Sequence, residues 1–244
     1  MTTTPEKEQL ITKIFSDVGK EYGYNIVTAS FLPFADNKIR WQRTDKWVKF
    51  EVSDYFLNAP PAALRELAET IFSRMTGDPD AQYGPKLNSY LSSDAMIAQR
   101  PTYAQRQDYK DDDGTLKDAY DSLVKEGLIK PMDDDFKLYY GYNADRYNDE
   151  QKYVRTSPIF KTISVDPRIR NDEESRKLAV FKGVTMSQYP FSNNREVMEA
   201  NKADVAKKVE QYPDGAKKEK FIMETYGLSN EKPIKWLFTK KKKN

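Results

Sequence analysis

The sequence predicts an α+β fold: a small antiparallel sheet packed with several helices. Three observations predict it. Apolar residues recur at helical spacing in several separate stretches, and these outnumber the stretches that alternate with a period of two. The clearest alternation lies in one hairpin-like segment, "KIRWQRTDKWVKFEVSDYF". Aromatic residues make up 13% of the chain, 16 of them tyrosines, which implies a ring-rich core whose tyrosines keep their hydroxyls near water.

The elements follow in order. "TPEKEQLITKIFSDVGKEYG" opens a helix, with Thr4 as cap, Pro5 at the first helical position and Leu10, Ile14, Val18 and Tyr22 as its stripe. "YNIVTASFLPF" reads as a strand. The hairpin turns at Thr44–Asp45; Ile39, Trp41 and Arg43 alternate on its first arm, Val48, Phe50 and Val52 on its second. A helix runs from Pro61 to about Met75, with Leu64, Leu67, Ala68, Ile71 and Phe72 on its apolar side and Gly77 placed to end it. A short helix lies within "GPKLNSYLSSDAMIAQRPTY", and "TLKDAYDSLVKEGLI" is amphipathic. "FKLYYGYN" and "SPIFKTISV" read as strands. A further helix begins near Asp172, Glu173 and Glu174, where the dipole favours negative charge, and two more lie near 195–211 and 216–226.

The composition closes several routes to chemistry. The 244 residues contain neither cysteine nor histidine. Disulfides, thiolate and imidazole metal sites and the common nucleophile–base pairs are therefore excluded, and oxygen ligands alone remain for metals. No apolar run approaches the ~20 residues of a membrane span, and the start lacks the order of a signal peptide, so the expected location is cytoplasmic. Residues 231–244 hold six lysines and one glutamate, net +5; with +2 for the whole chain, the rest sums to −3. No phosphate loop, G-x-S-x-G or EF-hand spacing occurs.

Three pieces together resemble archaeal SprT-like, or minigluzincin-like, zinc metalloproteases. They are "RWQRTDKWVKFEVSDYFLNAPPAALRELAETIFSRM"; "RPTY" followed by "LKDAYDSLVKEGLI"; and "RTSPIFKTISVDPRI" leading into a helix, then "KKVEQYPD". The resemblance implies a zincin-like core over residues 1–228, followed by an apolar and then lysine-rich tail at 229–244. In that family the helix after the last strand carries H-E-x-x-H, which holds zinc and activates its water. Here Lys182 and Met186 stand where the histidines would, Gly183 where the glutamate would, and a third ligand would fall near Asn201. Protonated lysine does not ligate, methionine is too soft for hydrolytic zinc, and glycine offers no base.

The resemblance therefore implies a pseudoprotease with no catalytic residues, metal or cofactor. The expected function is that of a protein-binding accessory subunit of a larger cytoplasmic assembly. Arg40, Trp41, Arg43 and Trp47 on the hairpin, and Trp236 and Phe238 in "IKWLF", are the candidate anchors, since Trp and Arg dominate interface hot spots; core packing is an equal reading for the tryptophans of the hairpin. A nucleic-acid-associated factor is the alternative, with Lys240, Lys241, Lys242 and Lys243 giving a salt-sensitive, sequence-blind contact. The tyrosines of "YYGY" with Tyr103, Tyr109 and Tyr147 read as core-edge rings rather than base-stacking platforms, and the Asp111–Asp113 and Asp133–Asp135 runs as solvated turns.

Overall fold

Thr4 is extended and Pro5 begins the first helix, α1 (Pro5–Glu21), in the computed structural model, which describes residues 4–107, 109–110, 113–132, 136–141, 153–192 and 194–226. Glu6 and Glu8 occupy its first turn and Lys20 its last, both favourable to the helix dipole. The buried stripe is Ile11, Phe15 and Val18; of the expected line Val18 is buried, Ile14 and Tyr22 are half-buried, and Leu10 is exposed. Gly19 sets the reason for that phase. A Cβ at Gly19 would stand 2.6 Å from Val27 Cγ2 and 2.9 Å from Phe72 Cζ, so the glycine side of the helix is the one that comes closest to its neighbours.

The described residues fall into two compact units. The first comprises Met1–Asp108, Ser157–Lys161 and Tyr189–Ala203. Its sheet contains β1 (Ile26–Leu32), β2 (Ile39–Arg43) and β3 (Trp47–Ser53), in the order β1-β3-β2. The hairpin β2–β3 is antiparallel as the sequence predicts, but β1 pairs with β3 in parallel, Ala29 opposite Phe50. Val27, Ala29 and Phe31 of β1 and Val48, Phe50 and Val52 of β3 are buried on one face. They meet α1 and α2 (Pro61–Thr76), whose Leu64, Leu67, Ala68, Ile71 and Phe72 are buried as expected; Gly77, at φ 135°, ends α2. Rings knit this core: Phe15–Phe50 centroids lie 4.9 Å apart, Phe50–Phe72 5.1 Å, and Tyr22 stacks on Phe72 at 5.4 Å.

Beyond β3, Asp54–Phe56 forms a 3-10 turn opened by Ser53, whose hydroxyl accepts from the Tyr55 N–H. The buried Asp54 carboxylate takes a two-pronged bond from Arg106, 2.5 and 2.6 Å, a geometry suited to a guanidinium. The Tyr55 carbonyl accepts from Tyr90 Oη at 2.6 Å and Gln99 Nε2 at 2.9 Å. Burial pushes the phenols of Tyr55 and Tyr90 up to about 12. The single short helix expected here is three: α3 (Pro85–Leu91), α4 (Asp94–Ile97) and α5 (Arg100–Arg106).

The second unit comprises Tyr109–Thr156, Thr162–Gln188 and Asp204–Asn244. It holds β4 (Tyr109–Lys110), α6 (Thr115–Lys125), β5 (Lys137–Gly141), β6 (Val154–Ser157), β7 (Thr162–Val165), α7 (Glu173–Ser187), the second half of α8 (Arg195–Gln211) and α9 (Gly215–Thr225). The sheet order is β4-β5-β7-β6, with β5 parallel to β7. The expected single antiparallel sheet is thus two mixed sheets. Period-two alternation specifies which face a side chain takes, not which strand lies alongside. The strand expected over "SPIFKTISV" is also divided. Residues 158–161 turn, Lys161 adopts a left-handed φ of 48°, and Phe160 is buried in the first unit, stacked on Tyr103 at 3.9 Å. Among the described residues no helix is long and apolar enough to cross a membrane.

Two outcomes follow from this packing. Gly19→Ala removes a glycine helix penalty of about 1 kcal/mol but overpacks the core at a cost of about 1–3 kcal/mol, so its urea midpoint is expected to fall. Four phenols, Tyr55, Tyr90 and Tyr212 at about 12 and Tyr153 well above its ordinary value, are raised by burial. In the unfolded chain they ionise near 10. Their neutral forms therefore support folding fully below pH 10, and this support is lost as pH rises towards 12. Thermal melts across that window are expected to show a falling midpoint, with late-titrating tyrosine absorbance that collapses on unfolding.

Candidate interaction surface

The helix α7 begins at Asp172, whose carboxylate accepts from the Glu174 and Ser175 N–H groups and from Ser175 Oγ at 2.6 Å. After its charged first turns the helix is buried round most of its circumference: Leu178, Ala179, Val180, Phe181, Val184 and Thr185 are all buried. It packs on β7, α6 and α9, which together cover these buried positions. At Gly183 it approaches the sheet so closely that a Cβ would lie 2.5 Å from Ile163 Cγ2 and 3.0 Å from Val154 Cγ2. Lys182 projects to Glu219 of α9, forming a short ion pair, and its ammonium sits 4.7 Å from the centre of the Tyr153 ring. Tyr153 Oη donates to the same Glu219 oxygen at 2.8 Å. Burial, and then the Glu219 charge, holds the Tyr153 phenol well above its usual range.

These residues do not fit the zinc that the metalloprotease resemblance would imply. The Lys182 ammonium is committed to a carboxylate, Gly183 carries no base, and Met186 offers only a thioether. Asn201 lies on the half of α8 that belongs to the first unit. Among the described residues no group of three or more acidic side chains is placed to hold a metal ion.

The hairpin anchors are distributed over two faces of the first sheet. Cross-strand partners share a face, so Trp41, opposite Phe50, lies on the helix-covered side. As an edge residue it nevertheless remains 44% exposed. Arg43, also exposed, is on that side too, and its guanidinium is engaged: its Nη1 donates to Tyr24 Oη at 3.2 Å and to the Met75 carbonyl at 2.9 Å, at the end of α2 where a cation is favourable. The other face carries Thr28 and Ser30 of β1, Trp47, Lys49 and Glu51 of β3, and Arg40 and Gln42 of β2. On it Trp47, 38% exposed, lies opposite Ile26, 61% exposed, and leaves an apolar step at one end. Arg40 pairs with Glu51 at 2.9 Å and covers the Phe34 ring at 4.6 Å. Lys49 approaches the same Glu51 at 3.7 Å. From Lys38 to Lys49 there are five cations (Lys38, Arg40, Arg43, Lys46, Lys49) and one anion, Asp45, so the hairpin is a basic patch on a mildly acidic body.

Comparison of the chain with protein families, with curated proteins and with solved structures finds no match.

Trp236, Phe238 and Lys240–Lys243 lie outside the described residues, as do Tyr142, Tyr147, the Asp133–Asp135 run and Asp111–Asp112. Of the remaining candidate rings, Tyr140 is fully buried, within 2.6 Å of Thr115 Oγ1 and under the Arg170 guanidinium at 4.3 Å, and Tyr103 is buried against Phe160. Both are core residues. Sequence reasoning missed Tyr153 and Glu219, which bind Lys182, and Ile26, which extends the Trp47 surface. The alternation of "NIVTASF" could have placed Ile26 opposite the buried Val27; nothing in sequence links Lys182 to a carboxylate 37 residues away.

Gly183→Ala is expected to lower the thermal midpoint through overpacking. Lys182→Met is expected to cost about 1 kcal/mol in urea titration, since Glu219 keeps its bond from Tyr153 and both charges are partly solvated.

Proposed function

We propose that this chain works by contact rather than turnover: it is a protein-binding accessory subunit of a larger cytoplasmic assembly, and the basic hairpin β2–β3 is its contact surface. The observation that carries this reading is the exposure of Trp41 on one face of the hairpin, and of Trp47 on the face that also carries Arg40, within one three-stranded sheet. Trp and Arg are the residues most often responsible for interface energy, and anchors held by strands lose little entropy on binding. The reading is also supported at α7, where the positions expected to hold a catalytic metal serve packing and an ion pair instead. On this reading the scaffold is a degenerate SprT-like protease whose zinc helix has become a core helix.

The test is affinity purification from the native source with crosslinking, comparing the chain with a Trp47→Thr, Arg40→Gln double variant. The expected outcome is a partner retained by the native chain and lost by the variant, each hot-spot side chain contributing about 2 kcal/mol or more, with an unchanged thermal midpoint. Stoichiometric zinc by elemental analysis, or peptidase activity, overturns the reading.

A further inference from the structure

The two edges of the first sheet are not equivalent. Thr44 N–H bonds the Trp47 carbonyl, and Ser53 N–H bonds the Lys38 carbonyl. With the register between them, these bonds fix the phase of the ladder: 38/53, 40/51, 42/49 and 44/47 are its hydrogen-bonded pairs. Ile39, Trp41 and Arg43 therefore point their N–H and C=O groups away from β3. Among the described residues, no hydrogen bond reaches these outward backbone groups. The opposite edge is capped over part of its length. Ala29 of β1 donates its N–H to Thr12 Oγ1 at 3.3 Å, and its carbonyl accepts from the same hydroxyl at 2.7 Å. Phe31 N–H donates to Glu8 Oε1 at 3.2 Å. Two side chains of α1 thus bond the β1 edge, and nothing comparable among the described residues bonds that of β2.

We infer that the open edge of β2 receives an extended segment of a partner protein as a fourth strand, a segment alternating apolar and acidic residues. This inference rests on the contact reading above and names the binding mode. Backbone pairing supplies the affinity of such added strands, and alternate side chains supply the specificity. Side chains of an added strand share faces with their opposites on β2. One set meets Ile39, the exposed ring of Trp41 and Arg43, whose guanidinium is already bonded to Tyr24 and the Met75 carbonyl, which calls for apolar residues. The other set meets Arg40 and Gln42, with Lys38 and Lys49 nearby; Arg40 and Lys49 share the single carboxylate of Glu51, so this face keeps a net positive charge, which calls for carboxylates. Charge selects against a second copy of this chain. A second β2 brings Lys38, Arg40 and Arg43 to an edge already carrying the same three cations, and like charges across paired strands repel.

The probe is a short acetylated, amidated peptide of alternating glutamate and valine, titrated by calorimetry against the full chain. Three controls accompany it: a lysine–valine peptide, a glutamate–valine peptide N-methylated at alternate residues, and the variants Trp41→Pro and Trp41→Thr. Proline at 41 deletes an outward N–H that β3 does not use, a position where edge strands tolerate it. The expected result is binding of the glutamate–valine peptide alone. N-methylation and Trp41→Pro each weaken it about tenfold or more, and Trp41→Thr weakens it less than Trp41→Pro. Equal binding of the N-methylated peptide overturns strand addition, and so does the absence of binding by the unmethylated one. Equal binding of the lysine peptide overturns the acidic assignment. Sedimentation showing a dimer that Trp41→Pro dissociates makes the occupant a second copy and also overturns it. Should Trp41→Pro fail to fold, the N-methylated peptide still decides the question. Failure of the contact reading itself appears separately, as partner retention by the Trp47→Thr, Arg40→Gln chain.

Discussion

β3 is hydrogen-bonded on both sides, and the first unit depends on that constraint. Its even-numbered residues, Val48, Phe50 and Val52, direct their backbone groups towards β1 and their side chains into the core. Its odd-numbered residues pair with β2 and put Trp47, Lys49 and Glu51 on the opposite face. One strand therefore sets the register of both neighbours, supplies the rings against which α1 and α2 pack, and fixes which face of β2 carries Trp41. A register slip of one residue along β3 would turn Phe50 outward and Lys49 inward, so burial fixes the register of the hairpin.

The same constraint leaves each outer strand with one unused edge, and the chain treats the two differently. Exposed edges are a liability that proteins usually cover, charge or shorten. β1 is covered in part from α1 by Thr12 and Glu8. β2 is short and flanked by cations, which discourages self-pairing without occupying the backbone. This selective discouragement suits an edge reserved for an acidic strand. In the second unit the economy is different. Gly183 lets α7 lie against Ile163 and Val154, and Lys182 is held by Glu219. That helix is committed to the core.

Much of the helical framework is legible in sequence because its signals are local. The Pro5 and Pro61 starts, the Gly77 stop and the stripe of α2 are where the spacing places them. The hairpin and its turn at Thr44 are legible for the same reason: alternation and turn chemistry are properties of neighbouring residues. Pairing between distant strands is not. Nothing in "NIVTASF" specifies that it runs parallel to β3 rather than antiparallel, and nothing in "SPIFKTISV" announces a break at Lys161, because the break comes from where Phe160 is buried. The stripe of α1 is misplaced at its start since Leu10 and Ile11 are equally apolar; the small side of the helix at Gly19 decides between them. Arg43 reads as an anchor, yet its guanidinium is spent on Tyr24 and the end of α2. The open edge of β2 is illegible altogether, for it is defined by which strand lacks a neighbour among the described residues and by two polar side chains of α1.

Residue-resolved amide hydrogen exchange of the dilute, unliganded chain measures that edge directly. The account expects alternation along β2, with Ile39, Trp41 and Arg43 exchanging at nearly unprotected rates while Arg40 and Gln42 are slowed by their bonds to β3, and with Ala29 and Phe31 of β1 protected. Uniform slow exchange from Ile39 to Arg43 in the monomer would mean that the edge is already occupied, and would contradict it.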